Sequence, residues 1–137
     1  MQFVPVPSTP DYLKAYAPHW LPFLPKISRR SKEAVADLFD QVMGGQVQVA
    51  LVFDEANVAQ ALVGMRYTKR GDDRIGEVCW LTGSGARHWL DLLPEMERYL
   101  KEHMRCAVIR PVCRPGWARL IRGKGYRVTH YLMEKTL

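Results

Sequence analysis

The sequence has few of the features that mark secreted, membrane or metal-binding proteins. Its three cysteines, Cys79, Cys106 and Cys113, show no C-x-x-C spacing, and its four histidines fall in different predicted elements. No apolar run approaches the roughly 18 residues that cross a bilayer, and the N-terminus has no basic and apolar regions of a secretory signal. We therefore expect a cytoplasmic protein without a membrane segment or a bound metal, in which the thiols are free and buried.

Acidic residues are missing from one part of the chain. Residues 105–127 contain seven arginines and lysines and no aspartate or glutamate, whereas the whole chain of 137 residues has a formal net charge of +6. This excess favours an acidic partner. The segment is either a solvated basic face or a surface that faces phosphate groups, and its composition leaves both interpretations open.

Hydrophobic periodicity and turn residues predict one α/β domain, residues 1–137, with the element order β, α, α, β, β, β, α, β, α, β. The predicted strands cover residues 2–6, 47–54, 59–69, 74–82, 106–113 and 127–135. The predicted helices are a short one within residues 11–24 that runs into an aromatic loop, and those at 34–43, 86–104 and 117–122. Residues 26–32 are predicted to be a basic linker from which Ser31 caps the following helix. Polar turns make the second, third and fourth strands consecutive antiparallel neighbours.

The stretch from Arg74 to Met104 combines an apolar strand, a turn of small residues and an amphipathic helical pattern. Such a geometry can bind phosphate, because free backbone N–H groups and the positive end of a helix dipole converge on one point. Pro94 interrupts the helical pattern, so it either kinks a single helix or lies in the first turn of a helix that begins there.

This order of elements, with a glycine turn after the fourth strand and Gly125-Tyr126 before the last, resembles the GNAT superfamily of acyl-CoA-dependent N-acyltransferases. Gly83 and Gly85 match the two small positions of the family's pyrophosphate-binding loop, while Trp80 occupies its Gln/Arg position. Arg114, Leu120 and Ile121 align with the Asn, Leu and Tyr positions of a second signature, in which the Tyr is often the general acid. The resemblance implies a mixed, mostly antiparallel central sheet flanked by helices.

The resemblance also implies a reaction and the residues for it. It implies transfer of an acyl group, with acetyl-CoA as the expected donor, to an unknown amine. The coenzyme would be bound by the loop after the fourth strand: Leu81, Thr82, Gly83, Ser84, Gly85, Ala86 and Arg87. Glu77 would be the catalytic base, and its alternatives are an exposed strand carboxylate or an ion pair with Arg66 or Arg74 across the hairpin. Strand alternation predicts Glu77, Cys79 and Leu81 on one face, with Val78 and Trp80 on the other.

Two further functions stay open at this point. The chain also resembles GNAT-like proteins of tailed phages and prophages, and Ile121 and Trp80 at the two polar positions favour a catalytically silent protein that acts by association, as a homodimer or with a virion partner. The basic segment 105–127 allows a nucleic-acid-binding protein, although it shows no reader motif and few aromatic residues.

Overall fold

A five-stranded sheet with two helical layers forms the protein, and the computed structural model describes residues 1–84 and 90–137. The strands are β1 (Gln2–Pro5), β2 (Gln48–Phe53), β3 (Ala59–Arg70), β4 (Asp73–Gly83) and β5 (Val108–Pro111). The helices are α1 (Pro10–Trp20), α2 (Leu24–Ser31), α3 (Val35–Met43), α4 (Leu93–Arg98) and α5 (Pro115–Ile121). Among the described residues, no helix is long and apolar enough to cross a membrane.

The strands lie in the spatial order β1-β2-β3-β4-β5, and all neighbours are antiparallel except β4 and β5. The three consecutive antiparallel strands predicted from the polar turns are thus confirmed. In the first turn, Asn57 has a φ of 58° and Asp54 Oδ1 accepts the N–H groups of Ala56 and Val58, each at 2.9 Å. These bonds hold the pKa of Asp54 below its usual value, the bond from Val58 being the largest cause.

The two faces of the sheet are covered by different helices. One core contains Val49, Leu51 and Leu62 of the sheet together with buried residues of α1, α2 and α3. Trp20, the largest fully buried side chain there, donates its Nε1–H to the carbonyl oxygen of Leu13 at 2.9 Å, which satisfies its polar atom. On the opposite face, Val63, Met65 and Val78 pack with Met96 and Leu100, which follow β4.

A short polar network is built into this second layer. The hydroxyl of Tyr67 donates to Gln48 Oε1, and Gln48 Nε2 donates to the hydroxyl of Tyr99 at 2.7 Å. Burial raises the pKa of Tyr67 above its ordinary value, and Tyr99 contributes in the same direction. Tyr67 therefore stays protonated over the physiological pH range, and the network fixes β2 and β3 against the segment 99–103.

Two element predictions were wrong. Residues 26–32 do not form a linker, because Leu24 and Ile27 are buried on one side of α2 while Arg29 and Arg30 point outward in its last turn. Ser31 is the last residue of α2 and does not cap α3, whose N-cap is Ala34.

The predicted last strand is also absent: residues 127–135 have no regular secondary structure and are exposed. Their alternating pattern has no partner strand within the described part of the chain.

Candidate active site

A cleft opens where β4 and β5 part. The two strands pair in parallel over four residues, from Ile75–Val108 to Val78–Pro111. Pro111 has no N–H group to continue the ladder, and the carbonyl oxygen of Val78 is bound instead by the N–H of Val112 at 3.0 Å. Beyond this point β4 continues beside β3 to Gly83, while the segment that follows β5 turns away into α5. The parallel pairing of β4 and β5 therefore ends at Pro111.

A β-bulge lies in β4 at the mouth of the fork. Gly64 of β3 pairs with Trp80 and Met65 pairs with Val78, so Cys79 is an extra residue without a partner in the β3 register. Bulges redirect side chains and leave backbone groups outside the ladder, and they are frequent next to active sites.

Because of the bulge, the side chains of β4 are distributed over the two faces of the sheet differently from the prediction. Val78 and Leu81 both pack against the layer of α4, whereas Cys79 and Trp80 both pack against the layer of α1–α3. Val78 and Cys79 lie on opposite faces as predicted, but the alternation fails after Cys79, because one inserted residue reverses Trp80 and Leu81 relative to the prediction. Trp80 is buried in the core, only 6% exposed, and so does not occupy a ligand-contacting position of the loop.

A small apolar cavity lies at the base of the cleft, on the side of α4 and α5. Its volume is about 30 Å³. Apolar side chains of β4, α4, β5 and α5 line it, among them Val78, Leu81, Met96, Ile109, Trp117 and Ile121. Ile121, which aligns with the family's general acid, is 6% exposed and serves to pack this wall.

Glu77 lies on β4 one residue before Val78, where the pairing with β5 ends, and it forms an ion pair with an arginine of β5. Arg110 donates from Nε at 3.2 Å and from a terminal guanidinium nitrogen at 2.8 Å, both to Glu77 Oε2. The two side chains are partly exposed, at 20% for Glu77 and 32% for Arg110. The carboxylate is thereby held in one orientation beside the point where the strands separate.

The predicted ion pair of Glu77 with Arg66 or Arg74 is wrong. The sheet register does set Arg66 directly opposite Glu77, but its guanidinium donates to Gln41 Oε1 of α3 at 2.6 Å. The guanidinium of Arg74 stacks on the Tyr67 ring, 4.6 Å from the ring centre. Arg110, which sequence reasoning grouped with the basic segment, is the actual partner, and no spacing rule connects residues 33 positions apart.

The predicted coenzyme loop is described only up to Ser84. The N–H of Ser84 donates to the carbonyl oxygen of Gln60 at 3.0 Å, and its hydroxyl donates to the side-chain oxygen of Gln60 at 2.9 Å. The Ser84 amide is therefore engaged by β3 and is not a free phosphate donor. Gly85, Ala86 and Arg87 lie outside the residues that the structure describes.

Gly83 is required by strand packing rather than by an open loop. Its φ is 147°, and a Cβ placed on it would lie 2.2 Å from the carbonyl oxygen of Gln60. Thr82 is 3% exposed, shares a sheet face with its cross-strand neighbour Leu62, and its hydroxyl has no hydrogen-bond partner among the described residues. Of the predicted loop residues that the structure describes, Leu81 to Ser84, only Leu81 has a side chain that lines the cavity.

The helical hydrogen-bonding pattern after the loop resolves the role of Pro94. A 3₁₀ turn covers Leu90–Leu92, and α4 begins at Leu93 with Pro94 in its first turn. Pro94 thus lies in the first turn of an α-helix, where no N–H is needed from it. The helix continues as a π-helical turn over Tyr99–His103.

The three thiols are unpaired but differ in environment. Cys106 is buried, Cys79 is intermediate and Cys113 is exposed beside the cavity, so the expectation of buried thiols was wrong for Cys113. Burial raises the pKa of Cys79 to about 11, against an opposing effect of Arg66. Within residues 1–84 and 90–137, no group of three or more His, Cys, Asp or Glu side chains is arranged to hold a metal ion.

One of the seven basic residues of the segment 105–127 is paired, and the other six are exposed. Arg110 belongs to the ion pair with Glu77. The other six basic residues are exposed: Arg105, Arg114, Arg119, Arg122, Lys124 and Arg127. Exposure is common to a solvated basic face and to a surface that faces phosphate groups, so both interpretations of the segment stay predictions.

Comparison with known proteins identifies the fold. No protein-family model and no curated protein matched the sequence. Among solved structures, a ribosomal-protein-alanine N-acetyltransferase from Brucella melitensis superposes with a TM-score of 0.70 at 8% identity, over 100% of this chain and 99% of that one. An acetyltransferase from Trypanosoma brucei superposes with a TM-score of 0.65 at 11% identity, over 99% of each chain. The mixed, mostly antiparallel sheet flanked by helices is therefore the fold of the GNAT acetyltransferases, as the sequence predicted.

Proposed function

We propose that the protein is an acyl-CoA-dependent N-acyltransferase that transfers an acetyl group to an amine. The observation that carries this proposal is the cleft at the parting of β4 and β5, with a carboxylate at its mouth and an apolar cavity at its base. The likeness to acetyltransferase structures supports the reaction class at the level of the fold.

The size of the cavity favours a short acyl group. A water molecule needs about 10–15 Å³ of such volume, and the cavity of about 30 Å³ therefore admits one or two groups of that size. An acetyl group fits this limit. A long acyl chain would require Trp117 or α5 to move.

The chemistry needs a base and a donor for negative charge. A neutral amine attacks the thioester carbonyl carbon, the C–N bond forms, and the C–S bond breaks to release the thiolate. We assign Glu77 as the group that accepts the ammonium proton through water, because Arg110 fixes its orientation at the fork. Backbone groups of the bulge at Cys79 lie outside the ladder at the same point, and an N–H group there is the type of donor that a developing oxyanion requires.

Ile121 cannot protonate the leaving thiolate. This departure is compatible with turnover, because a thiol with an ordinary pKa near 8.5 is an acceptable leaving group close to neutral pH and can take its proton from water. The proposed mechanism therefore has a side-chain base and no side-chain acid.

The coenzyme's phosphates are assigned to the loop that begins at Leu81. Since the Ser84 amide is engaged by Gln60, the phosphate donors in this proposal are the amides of Gly85 and Ala86 and the guanidinium of Arg87. Arginine suits this task because it binds phosphate oxygens with two parallel hydrogen bonds.

Calorimetric titration with acetyl-CoA tests the proposal directly, and release of free thiol in the presence of a panel of amines tests the reaction. We expect saturable binding in the wild type and loss of binding in Gly85→Glu, because the added carboxylate repels phosphate. Gly123→Glu is the matched control, since a Cβ at Gly123 meets nothing within 4 Å, and it should bind as the wild type does. No heat and no thermal shift with acetyl-CoA would contradict the proposal, and normal affinity in Gly85→Glu would contradict the assigned loop.

A further inference from the structure

Three charged side chains form a row across the sheet at the level of the cleft. The register sets Arg66 of β3 opposite Glu77 of β4, and Glu77 opposite Arg110 of β5. Residues in register lie on one face of a sheet, and in an antiparallel pair their Cβ atoms are about 4.5–5.5 Å apart. The face is that of the α1–α3 layer, because Arg66 reaches Gln41 of α3. This charged row of Arg66, Glu77 and Arg110 therefore contains the proposed base and two cations.

Only one of the two arginines in the charged row is neutralised. Arg110 donates twice to Glu77 Oε2. Arg66 donates instead to a neutral acceptor, Gln41 Oε1, at 2.6 Å, and it forms no ion pair within the described part of the chain. The row thus has a net positive charge, on a half-buried guanidinium. A guanidinium has five N–H donors, so the donors that Gln41 does not use remain for an anionic ligand.

Gln41 holds this guanidinium in a fixed position. Its side-chain Nε2 donates to Glu33 Oε1 at 3.4 Å, which directs the amide oxygen towards Arg66. Glu33 is itself fixed by α2, since the Ser28 hydroxyl donates to the Glu33 carbonyl oxygen at 2.6 Å. The orientation of the cation is therefore set before any ligand binds, which lowers the entropic cost of binding one.

Arg66 lies far from the proposed phosphate loop. The stretch of β4 from its cross-strand neighbour Glu77 to Gly83 spans about 20 Å of extended strand. Arg66 is close to the bulge instead: the pKa of the Cys79 thiol is raised mainly by burial, lowered by Arg66 and raised by Glu77, so both charges act on this thiol. The cation is therefore at the end of the cleft where, in the proposed reaction, the amine meets the acyl group.

We propose that Arg66 binds a carboxylate of the acceptor, and that the acceptor is a small amino acid whose amino group faces Glu77. The inference rests on the proposed acyl transfer and names its acceptor class. The planar guanidinium matches a carboxylate with two parallel hydrogen bonds. A zwitterion places its positive group beside Glu77 and its negative group beside Arg66, and its carboxylate offsets the excess charge of the row. The carboxylate takes no part in bond making, so Arg66 determines specificity.

Matched acceptors that differ only in the carboxylate test this inference. The pairs are glycine and glycinamide, β-alanine and β-alaninamide, and 4-aminobutyrate and 4-aminobutanamide, which vary the separation of the two groups. Release of free thiol from acetyl-CoA measures transfer. In at least one pair we expect kcat/KM to be about 10–100-fold higher for the acid than for the amide, which is the range of charge-assisted hydrogen bonds.

Substitution of Arg66 separates its role from the different basicity of the paired amines. Arg66→Gln should raise the KM for the acid by about 10–100-fold and leave kcat and the reaction of the amide unchanged. Arg66→Lys keeps the charge without the planar group and should retain part of the preference for the acid. Arg70→Gln is the matched control, because it removes an exposed arginine at the end of the same strand, and it should behave as the wild type does.

The outcomes distinguish this inference from the proposed function. If acetyl-CoA binds but no acid is acetylated, or if acid and amide react equally well, the carboxylate site is overturned and coenzyme binding stands. An equal loss for acid and amide in Arg66→Gln would also overturn it. If acetyl-CoA does not bind, the proposed function fails, and calorimetric titration with the three acids alone decides the site. Saturable binding that Arg66→Gln abolishes would support it, and no binding would overturn it.

Discussion

Replacing Gly83 by alanine should detach the end of β4 from β3. The added Cβ would lie 2.2 Å from the Gln60 carbonyl oxygen and 2.5 Å from the Ala61 Cα, both of them backbone atoms that cannot rotate away. Relief requires the strands to separate by about 1 Å, because real Cβ atoms essentially never approach within 3.0 Å. The substitution therefore acts on the boundary between the paired strand and the proposed coenzyme loop.

The expected loss of stability has two parts. Holding a non-glycine residue at a φ of 147° costs on the order of 1–3 kcal/mol. Loss of the bond from the Ser84 N–H to Gln60 costs about 0.5–1.5 kcal/mol more. We expect the free energy of unfolding to fall by about 2–4 kcal/mol in urea denaturation, and the melting temperature to fall by about 4 °C for each kcal/mol.

Gly116→Ala is the matched control for this prediction. Gly116 lies in the first turn of α5, and a Cβ there meets nothing within 4 Å. Alanine is the better helix former by about 1 kcal/mol, so the control should be neutral or stabilising. If Gly83→Ala unfolds at the same urea concentration as Gly116→Ala, the argument that close packing of β3 and β4 requires glycine is refuted. If Gly83→Ala is destabilised but binds acetyl-CoA with unchanged affinity, the loop position does not depend on this packing.

Two further predictions concern reactive side chains at the cleft. Glu77→Gln keeps an oxygen for Arg110 but cannot accept a proton, so the turnover number for amine acetylation should fall by about 10²–10⁴-fold. The control Glu102→Gln changes an exposed glutamate and should leave the turnover number unchanged. Equal activities of the two variants would exclude Glu77 as the base. At pH 8, the raised pKa of Cys79, about 11, leaves only about one thiolate in 10³, so iodoacetamide should modify exposed Cys113 first and Cys79 only as the pH approaches 11 or after unfolding. Mass spectrometry of peptides measures this order, and early modification of Cys79 would show that its thiol is not shielded.

Local pattern was enough to predict most of the sheet. Polar turns at residues 54–57 and 70–73 lie between apolar runs, so β2, β3 and β4 could only form an antiparallel meander. The apolar stripe of α3 was likewise visible, because its buried residues Leu38 and Val42 repeat at helical spacing. The order of elements then carried the resemblance to the GNAT fold.

Helix α2 shows where local pattern was insufficient. Its eight residues include a proline and three basic side chains, and only Leu24 and Ile27 are buried. A helix this short is marginal by itself. Packing of Leu24 and Ile27 against the core stabilises this helix, and the core residues that they contact are distant in sequence. The local sequence of α2 therefore does not show this contribution.

What the sequence by itself determined is strands β1 to β5, the polar turns that make β2, β3 and β4 antiparallel neighbours, and the choice of Glu77 as the proposed base. Tertiary structure alone decided the rest of the site: the bulge at Cys79, the fork at Pro111 and the pairing of Glu77 with Arg110. It also leaves residues 127–135 without a partner strand among the described residues. The physical reason is the range of the interactions. Alternation and turn propensity act over a few residues, whereas a ladder register, an ion pair between strands and the covering of a sheet edge depend on groups that only folding or association brings together.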